Sequence, residues 1–400
     1  CGEARKLTLG IGVWCDSALA EDLHRWSSWD YGIAALAKLL GDSGHEVTVY
    51  LQGDPALSNH DFLERKRVWD DRLAGSVAEV DYFEHRRQRP VVCDVAIATH
   101  WQTAYAVADL ERVRLRVQWM MADPTSSSPL GDRQGEAKNA SVFLPLRPIA
   151  VGEELRHTLV QTPGFRNVVD AVPLPLAPEF TETEPQPERH LLPDGSVNVL
   201  WFDDPNTDPA VRFQVLATLA QLQREYDEKL LVQCYGRPAP AGFEAEHGLR
   251  HLGKVADNST RSQLFSLSNI HGAIAPSSVQ VTVEAIAGGC GGVGLGEDPL
   301  DDLGDFVVES PLDPDSFASH LRQLIDDAQR RSALAEKGAA WARELTWEKT
   351  VEATLEIINQ ITFLGADLLG ADSGTSNTIP SSKDSDNSEE ERLEKGEDCD

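Results

Sequence analysis

Short apolar runs alternate with helical faces along this chain, and they do so twice, on either side of a proline- and glutamate-rich break. This pattern constrains the fold more than any other feature. Strands separated by helices pair in parallel, and a parallel sheet must be covered on both faces. Leu7-Thr-Leu-Gly-Ile-Gly-Val13 is a run of the kind buried in such a sheet. Ile33, Leu36, Ala37 and Leu40 follow at i, i+3, i+4 and i+7 on one helical face, Gly44 ends that helix, and Val47, Val49 and Leu51 alternate as the next strand. Further strands are expected at 91–98, 113–120 and 149–151.

The stretch 173–193 breaks both periodicities and reads as a connection. Beyond it the alternation restarts, with strands expected at 197–202, 230–235, 251–255, 272–275 and 293–295, and helices at 211–226, 262–268 and onward from 281. Phe317, Leu321, Leu324 and Ile325 share a helical face, and Thr346 is placed to cap a helix whose face is Trp347, Val351, Leu355 and Ile358. Four hundred residues exceed one ordinary core. The expected organisation is therefore α/β, with two Rossmann-like doubly wound parallel-sheet domains facing a cleft. They cover 1–180 and 196–345 and are joined by a linker at 181–195. A C-terminal helix over 346–366 packs back toward the first domain, and 367–400 forms a disordered acidic tail, since it is Ser, Asp, Glu and Gly with few large apolar residues.

Charge narrows the partners. The chain carries 65 acidic and 36 basic residues, a formal charge of -29. Such a surface repels nucleic-acid phosphate and opposes broad adhesion to anionic lipid, although local peripheral contact with a membrane stays open. The longest apolar runs fall short of a membrane span. Six cysteines show neither a CxxC pair nor regular spacing, which points to buried thiols and a cytoplasmic setting rather than a disulfide or zinc framework. Gly10-Ile-Gly12 begins a dinucleotide fingerprint, but Cys15 stands where its third glycine belongs.

The strongest local signal is Ala275-Pro-Ser-Ser-Val-Gln-Val-Thr-Val-Glu-Ala-Ile-Ala-Gly-Gly289. A strand ends at Pro276, hydroxyl residues form a turn, and a helix is expected from about Val281 with Glu284 in its first turn. Amides at such a helix start suit a diphosphate, and a carboxylate just inside it can accept two hydrogen bonds from a ribose diol. The same residues serve equally as helix caps, with Glu284 favouring the positive end of the helix dipole.

The order of this segment, followed by Trp347-Glu348 in a late helix, resembles the donor half of family 4 glycosyltransferases, and Ser43-Gly-His-Glu-Val-Thr-Val49 resembles the end of their first βαβ unit. Trp101-Gln-Thr-Ala-Tyr105, Val117-Gln118 and Leu252-Gly-Lys254 are similar to segments of the bacterial rhamnan-synthesis type of rhamnosyltransferase. The resemblance spans most of residues 7–362. It implies a GT-B architecture, with an acceptor-side first domain and a nucleotide-sugar donor domain second. The implied function is transfer of a hexose or deoxyhexose, rhamnose among the candidates, to a glycan or glycolipid acceptor, with retention, without a metal and with no cofactor beyond the donor itself. By the same resemblance Glu284 is the ribose-binding glutamate, and Ser277, Ser278 and Thr282 meet the donor phosphates. Lys254 lies near the nucleobase or phosphate, Arg212 faces the diphosphate, and His100 lies against the transferred sugar.

The chain also departs from that family. Pro276 stands where an earlier glutamate is usual, and Phe202-Asp-Asp-Pro-Asn-Thr207 replaces an Arg-rich segment, bringing two carboxylates toward a diphosphate. These departures keep open an alternative, an inactive GT-B-like glycan-binding or scaffolding domain of a larger protein. The tail and the 181–193 stretch define the expected protease-sensitive sites. Limited proteolysis should remove the tail after about residue 370 and cut next within 181–193; a first cut inside 91–98 would contradict this organisation.

Overall fold

The computed structural model describes residues 8–16, 28–52, 59–83, 91–122, 133–181, 196–205, 207–255, 257–274, 279–296, 303 and 306–371. The stretch 182–195 and the tail from 372 lie outside them, and with them most of the expected linker and tail.

The first half contains β1 (Gly10–Asp16), α1 (Ser28–Asp42), β2 (Glu46–Gln52), α2 (Asn59–Leu73), β3 (Glu79–Phe83), β4 (Cys93–Ala98), α3 (Trp101–Ala108), β5 (Val113–Met120), α4 (Arg133–Ser141), β6 (Arg147–Val151), α5 (Glu153–Gln161) and β7 (Asp170–Val172). Its seven strands run in the order β3-β2-β1-β4-β5-β6-β7, every neighbour parallel. Ile11 lies opposite Val47 on one side and Val95 on the other. All three are fully buried, as a central strand covered on both faces requires. The helix face read from Ile33, Leu36, Ala37 and Leu40 is buried at all four positions, and Gly44 leaves the helix at φ +91, a conformation in which glycine is favoured.

The second half begins with α6 (Pro178–Thr181) and continues through β8 (Val197–Phe202), α7 (Pro209–Tyr226), β9 (Leu230–Tyr235), α8 (Phe243–His247), β10 (Arg250–His251), α9 (Asn258–Ser266), β11 (Ile270–Ile274), α10 (Val279–Ala287), β12 (Gly291–Leu295), β13 (Val307–Ser310), α11 (Pro314–Asp326), α12 (Ala328–Ala342) and α13 (Trp347–Ala371). Its strand order is β10-β9-β8-β11-β12-β13, again parallel throughout.

Several elements differ from expectation for local reasons. The strand expected over 251–255 ends at His251, because Gly253 at φ +78 leaves the extended region. The helix expected at 262–268 starts at Asn258, where Asp257 caps it by accepting from Thr260 N at 2.8 Å. Helix α10 starts at Val279 rather than Val281, which moves Glu284 beyond the first turn and away from the dipole's positive end.

Two segments join the halves. Residues 173–181 are packed rather than loose: Leu174, Leu176, Ala177 and Phe180 are all buried. Leu176 N donates to Leu345 O at 2.9 Å, Thr350 Oγ1 to Pro173 O at 2.9 Å, Gln280 Nε2 to Pro175 O at 3.3 Å and Ser262 Oγ to Glu179 O at 2.8 Å. Helix α13 follows the second sheet in sequence yet packs on α1, β5 and β7 of the first. Trp347 is its anchor, 5% exposed and with its ring centroid 6.3 Å from that of Trp119. Gly32 makes room for it, since a Cβ there would lie 2.5 Å from the Trp347 ring.

Trp347→Ala should therefore destabilise the protein by about 3–5 kcal/mol, the usual cost of emptying a buried aromatic site. A denaturation midpoint unchanged from wild type would show that α13 docking contributes nothing.

Candidate active site at the strand ends

In doubly wound sheets, ligands bind at the carboxyl ends of the strands, at the point where the strand order reverses. That point lies between β1 and β4 in the first sheet and between β8 and β11 in the second.

His100 lies two residues past the end of β4 at the first of these points and is the N-cap of α3. Its backbone is fixed by Thr103, whose Oγ1 accepts from His100 N at 3.0 Å and donates to His100 O at 2.8 Å. The ring packs at 5.6 Å from Trp101. Burial, helped by the nearby Lys138 charge, lowers its pKa to about 4, so the imidazole is neutral at physiological pH.

Beside the second point, on the far side of β8 from β11, the ends of β8, β9 and β10 are tied together. Asp203 N donates to Tyr235 O at 2.7 Å and Gly236 N to Gly253 O at 3.0 Å. Gly236 sits at φ +123, and a Cβ there would come within 2.8 Å of Asp203 O, so the approach requires glycine. Asp203 is 1% exposed, which makes its charge untenable without partners. Arg212, one turn into α7, meets it as a fork, with Nε on Oδ1 and Nη2 on Oδ2, both at 2.7 Å. Arg237, just beyond β9, places Nε 3.3 Å from Oδ2 and donates through Nη2 to Asp204 O at 2.7 Å. His251 completes the cluster. Its Nδ1 accepts from Gly253 N at 3.0 Å, which leaves the ring proton on Nε2, 3.3 Å from Oδ2. Burial lowers the His251 pKa, with the Asp203 hydrogen bond partly opposing that shift. The hydrogen bond to Asp203 raises that of Arg212.

A second buried pair lies under α10. Glu284 is 1% exposed and both its oxygens lie 3.2 Å from Nη2 of Arg261. The same nitrogen donates to Asn258 Oδ1 at 2.7 Å, and the guanidinium covers the Phe180 ring at 5.7 Å. Thr282, on the same helix, is buried. Lys254 is exposed just past β10, while Ser277 and Ser278 lie outside the described residues. The structure thus places Arg212, Lys254, Thr282 and Glu284 along the carboxyl edge of one sheet, and His100 on that of the other. Arg212 and Glu284 belong to two separate ion-pair clusters there.

Arg237, His251 and Arg261 are additions that motif reading missed. Their one legible signal was position, since Arg237 follows β9, the neighbour of β8, and His251 ends β10, the next strand out. Tyr235 and His271 form a further buried pair, with Oη and Nε2 2.9 Å apart. Burial, then the Glu284 charge, pushes the tyrosine well above its ordinary range, and burial lowers His271 to about 3.

This architecture can be set beside known structures. The chain superposes on Anabaena HepE in complex with UDP and glucose at TM-score 0.59 and 15% identity, over 88% of this chain and 99% of that one. It superposes on WaaG, a glycosyltransferase involved in lipopolysaccharide biosynthesis, at 0.56 and 14%, over 87% and 99%. A third match is a trehalose-6-phosphate protein from E. coli bound with UDP-2-fluoro glucose, at 0.56 and 11%, over 88% and 99%. The fold is GT-B. No known family profile matches the sequence, and no curated protein does. Identities this low establish the architecture and leave the chemistry to the residues.

Two neutral histidines, the half-buried His100 and the buried His271, set an acid limit. Their folded pKa values, about 4 and about 3, lie below the ordinary 6.5. The unfolded chain therefore binds more protons below pH 6.5, and the stability these groups confer, complete above that pH, is lost as pH falls toward 4. The melting temperature should drop across pH 6.5–4 and drop less steeply in His271→Asn; parallel pH profiles for the two proteins would refute the assignment.

Proposed function

We propose that this protein is a glycosyltransferase acting from a nucleoside-diphosphate sugar on a glycan or glycolipid acceptor. The observation that carries this reading is a GT-B architecture whose second sheet presents Arg212, Arg237 and Lys254 at its carboxyl edge in a chain of charge -29. Cations gathered there against so acidic a background fit an anionic ligand. HepE is described with UDP and glucose, and the E. coli protein with UDP-2-fluoro glucose, which supports a nucleotide sugar as that ligand. The transferred group is a hexose or deoxyhexose, with rhamnose favoured by sequence resemblance. Free thiols at Cys15, Cys93, Cys234 and Cys290 support a cytoplasmic setting. No helix among the described residues is long and apolar enough to cross a membrane.

In this reading Glu284 accepts hydrogen bonds from the ribose diol, and Thr282, Ser277 and Ser278 meet the phosphates. Arg212 and Lys254 balance the charge that develops on the departing diphosphate, a role in which a single contact is commonly worth 10²–10³ in turnover. Neutral His100 serves as a hydrogen-bonding partner of the transferred sugar. Retention needs no protein nucleophile: the acceptor oxygen attacks the anomeric carbon from the face that the diphosphate leaves, and a phosphate oxygen takes the acceptor proton. Asp203 is engaged by two guanidinium groups, which favours charge balance by arginine over a metal held at this carboxylate.

A second reading, a catalytically silent glycan-binding or scaffolding domain, draws on the burial of Glu284 against Arg261 and on Pro276 in place of the earlier glutamate.

Incubation with UDP-, GDP- and dTDP-sugars, with and without glycan acceptors, separates the two. The transferase reading expects donor turnover that survives EDTA and a product of retained anomeric configuration. Glu284→Gln should weaken donor binding about tenfold to a hundredfold, corresponding to roughly 1.5–3 kcal/mol for a charge-assisted hydrogen bond. Absence of turnover with every donor favours the scaffold, and loss of activity in EDTA restored by Mg²⁺ excludes the metal-free mechanism.

A further inference from the structure

The Asp203 cluster holds more positive charge than its carboxylate needs. The fork from Arg212 already satisfies both oxygens. A second guanidinium lies 3.3 Å from Oδ2, on a carboxylate whose two oxygens are already held, with the buried Asp204 beside it. Exposure is asymmetric: the Asp203 side chain is 1% exposed, that of Arg212 19% and that of Arg237 22%. The carboxylate lies beneath and the guanidinium edges lie at the surface. Arg212 uses Nε and Nη2 on Asp203, and Arg237 uses Nη2 on Asp204 O with Nε turned to Asp203. Among the described residues, Nη1 of each has no acceptor. Two outward donors, fixed by one buried anchor, form a fork for a second anion with several oxygens. The backbone beneath is equally fixed, because Gly236 and Asp203 approach too closely for any side chain between them.

We infer that Asp203 is a positioning residue that holds Arg212 and Arg237 as one diphosphate-receiving pair, and that Arg237 is itself a donor-binding residue. The nucleoside-diphosphate nature of the ligand rests on the transferase reading; the pairing of the arginines does not. The inference also explains why a carboxylate is tolerated where a diphosphate binds. Asp203 orients the cations from below and does not face the phosphates.

Isothermal titration of the full chain with inorganic pyrophosphate and with UDP tests this, because pyrophosphate reports on phosphate recognition without a base. Wild type should bind both. Arg237→Gln, at an unchanged melting temperature, should weaken both by at least about tenfold. Asp203→Asn supplies a test by sign. Neutralising a carboxylate that merely repels phosphate would tighten binding, whereas loss of the anchor weakens it, again by about tenfold or more. Failure of wild type to bind either probe, an Arg237→Gln affinity within twofold of wild type, or tighter binding by Asp203→Asn would overturn the inference. If Asp203→Asn does not fold, Arg237→Gln decides alone. Pyrophosphate binding as expected, with no sugar donor turned over, would sink the transferase reading and leave the pair standing. Donor turnover with an unchanged donor KM in Arg237→Gln would do the reverse.

Discussion

The geometry of this protein depends on an apolar seam that belongs to neither sheet alone. Leu174, Leu176, Ala177 and Phe180 lie in one continuous cluster with Ile33 and Trp119 of the first half, Val283 and Ile286 of the second, and Trp347 of α13. A buried connecting segment is tolerable only if its backbone polar groups find partners. Here Leu345, Thr350, Gln280 and Ser262 supply them. The seam thus fastens to both halves through side chains and main chain together. Arg261 extends it toward the chemistry, since the guanidinium that pairs with Glu284 also rests on Phe180.

Parallel pairing in both sheets brings the strand ends together, and what stands there is unusually well buried for charged groups. Asp203 and Glu284 each have a relative exposure of 1% and each is held by arginine. Removing one partner of such a pair leaves an uncompensated charge in a poorly polarisable surrounding, which costs far more than the pair gains when intact. Site and stability are therefore coupled. Substitutions at Arg212 or Arg261 alter folding as well as any ligand affinity, and this makes Arg237, whose contact with Asp203 is longer than the Arg212 fork, the cleaner probe of function.

Much of the fold was legible in the chain because its signals are local. The run at 113–120 is β5, that at 197–202 is β8 and that at 230–235 is β9, since each sets apolar residues at strand spacing in a short segment. Elements with weaker periodicity escaped: β3, β7 and β13 are edge or near-edge strands of three to five residues, and α12 has only a shallow apolar face. The two-residue change in the start of α10 altered the meaning of Glu284, from a residue at a helix's positive end to a buried partner of Arg261.

Sequence by itself determined the class of architecture, two parallel α/β sheets, because burial on both faces writes itself into hydrophobic periodicity, while the GT-B arrangement was implied by resemblance. It also marked the strand ends where chemistry gathers, and named Arg212, Lys254, Glu284 and His100 as residues there. Partners lay beyond its reach. Asp203 and Asp204 read as two carboxylates set against a phosphate site. Only the fold, which brings Arg237 from the end of β9 and His251 from the end of β10 to Asp203, 34 and 48 residues away in sequence, turns one of them into an anchor for cations. An ion pair of that separation leaves no periodic trace. Its energy arises from desolvation and geometry, and both exist only once the chain has folded.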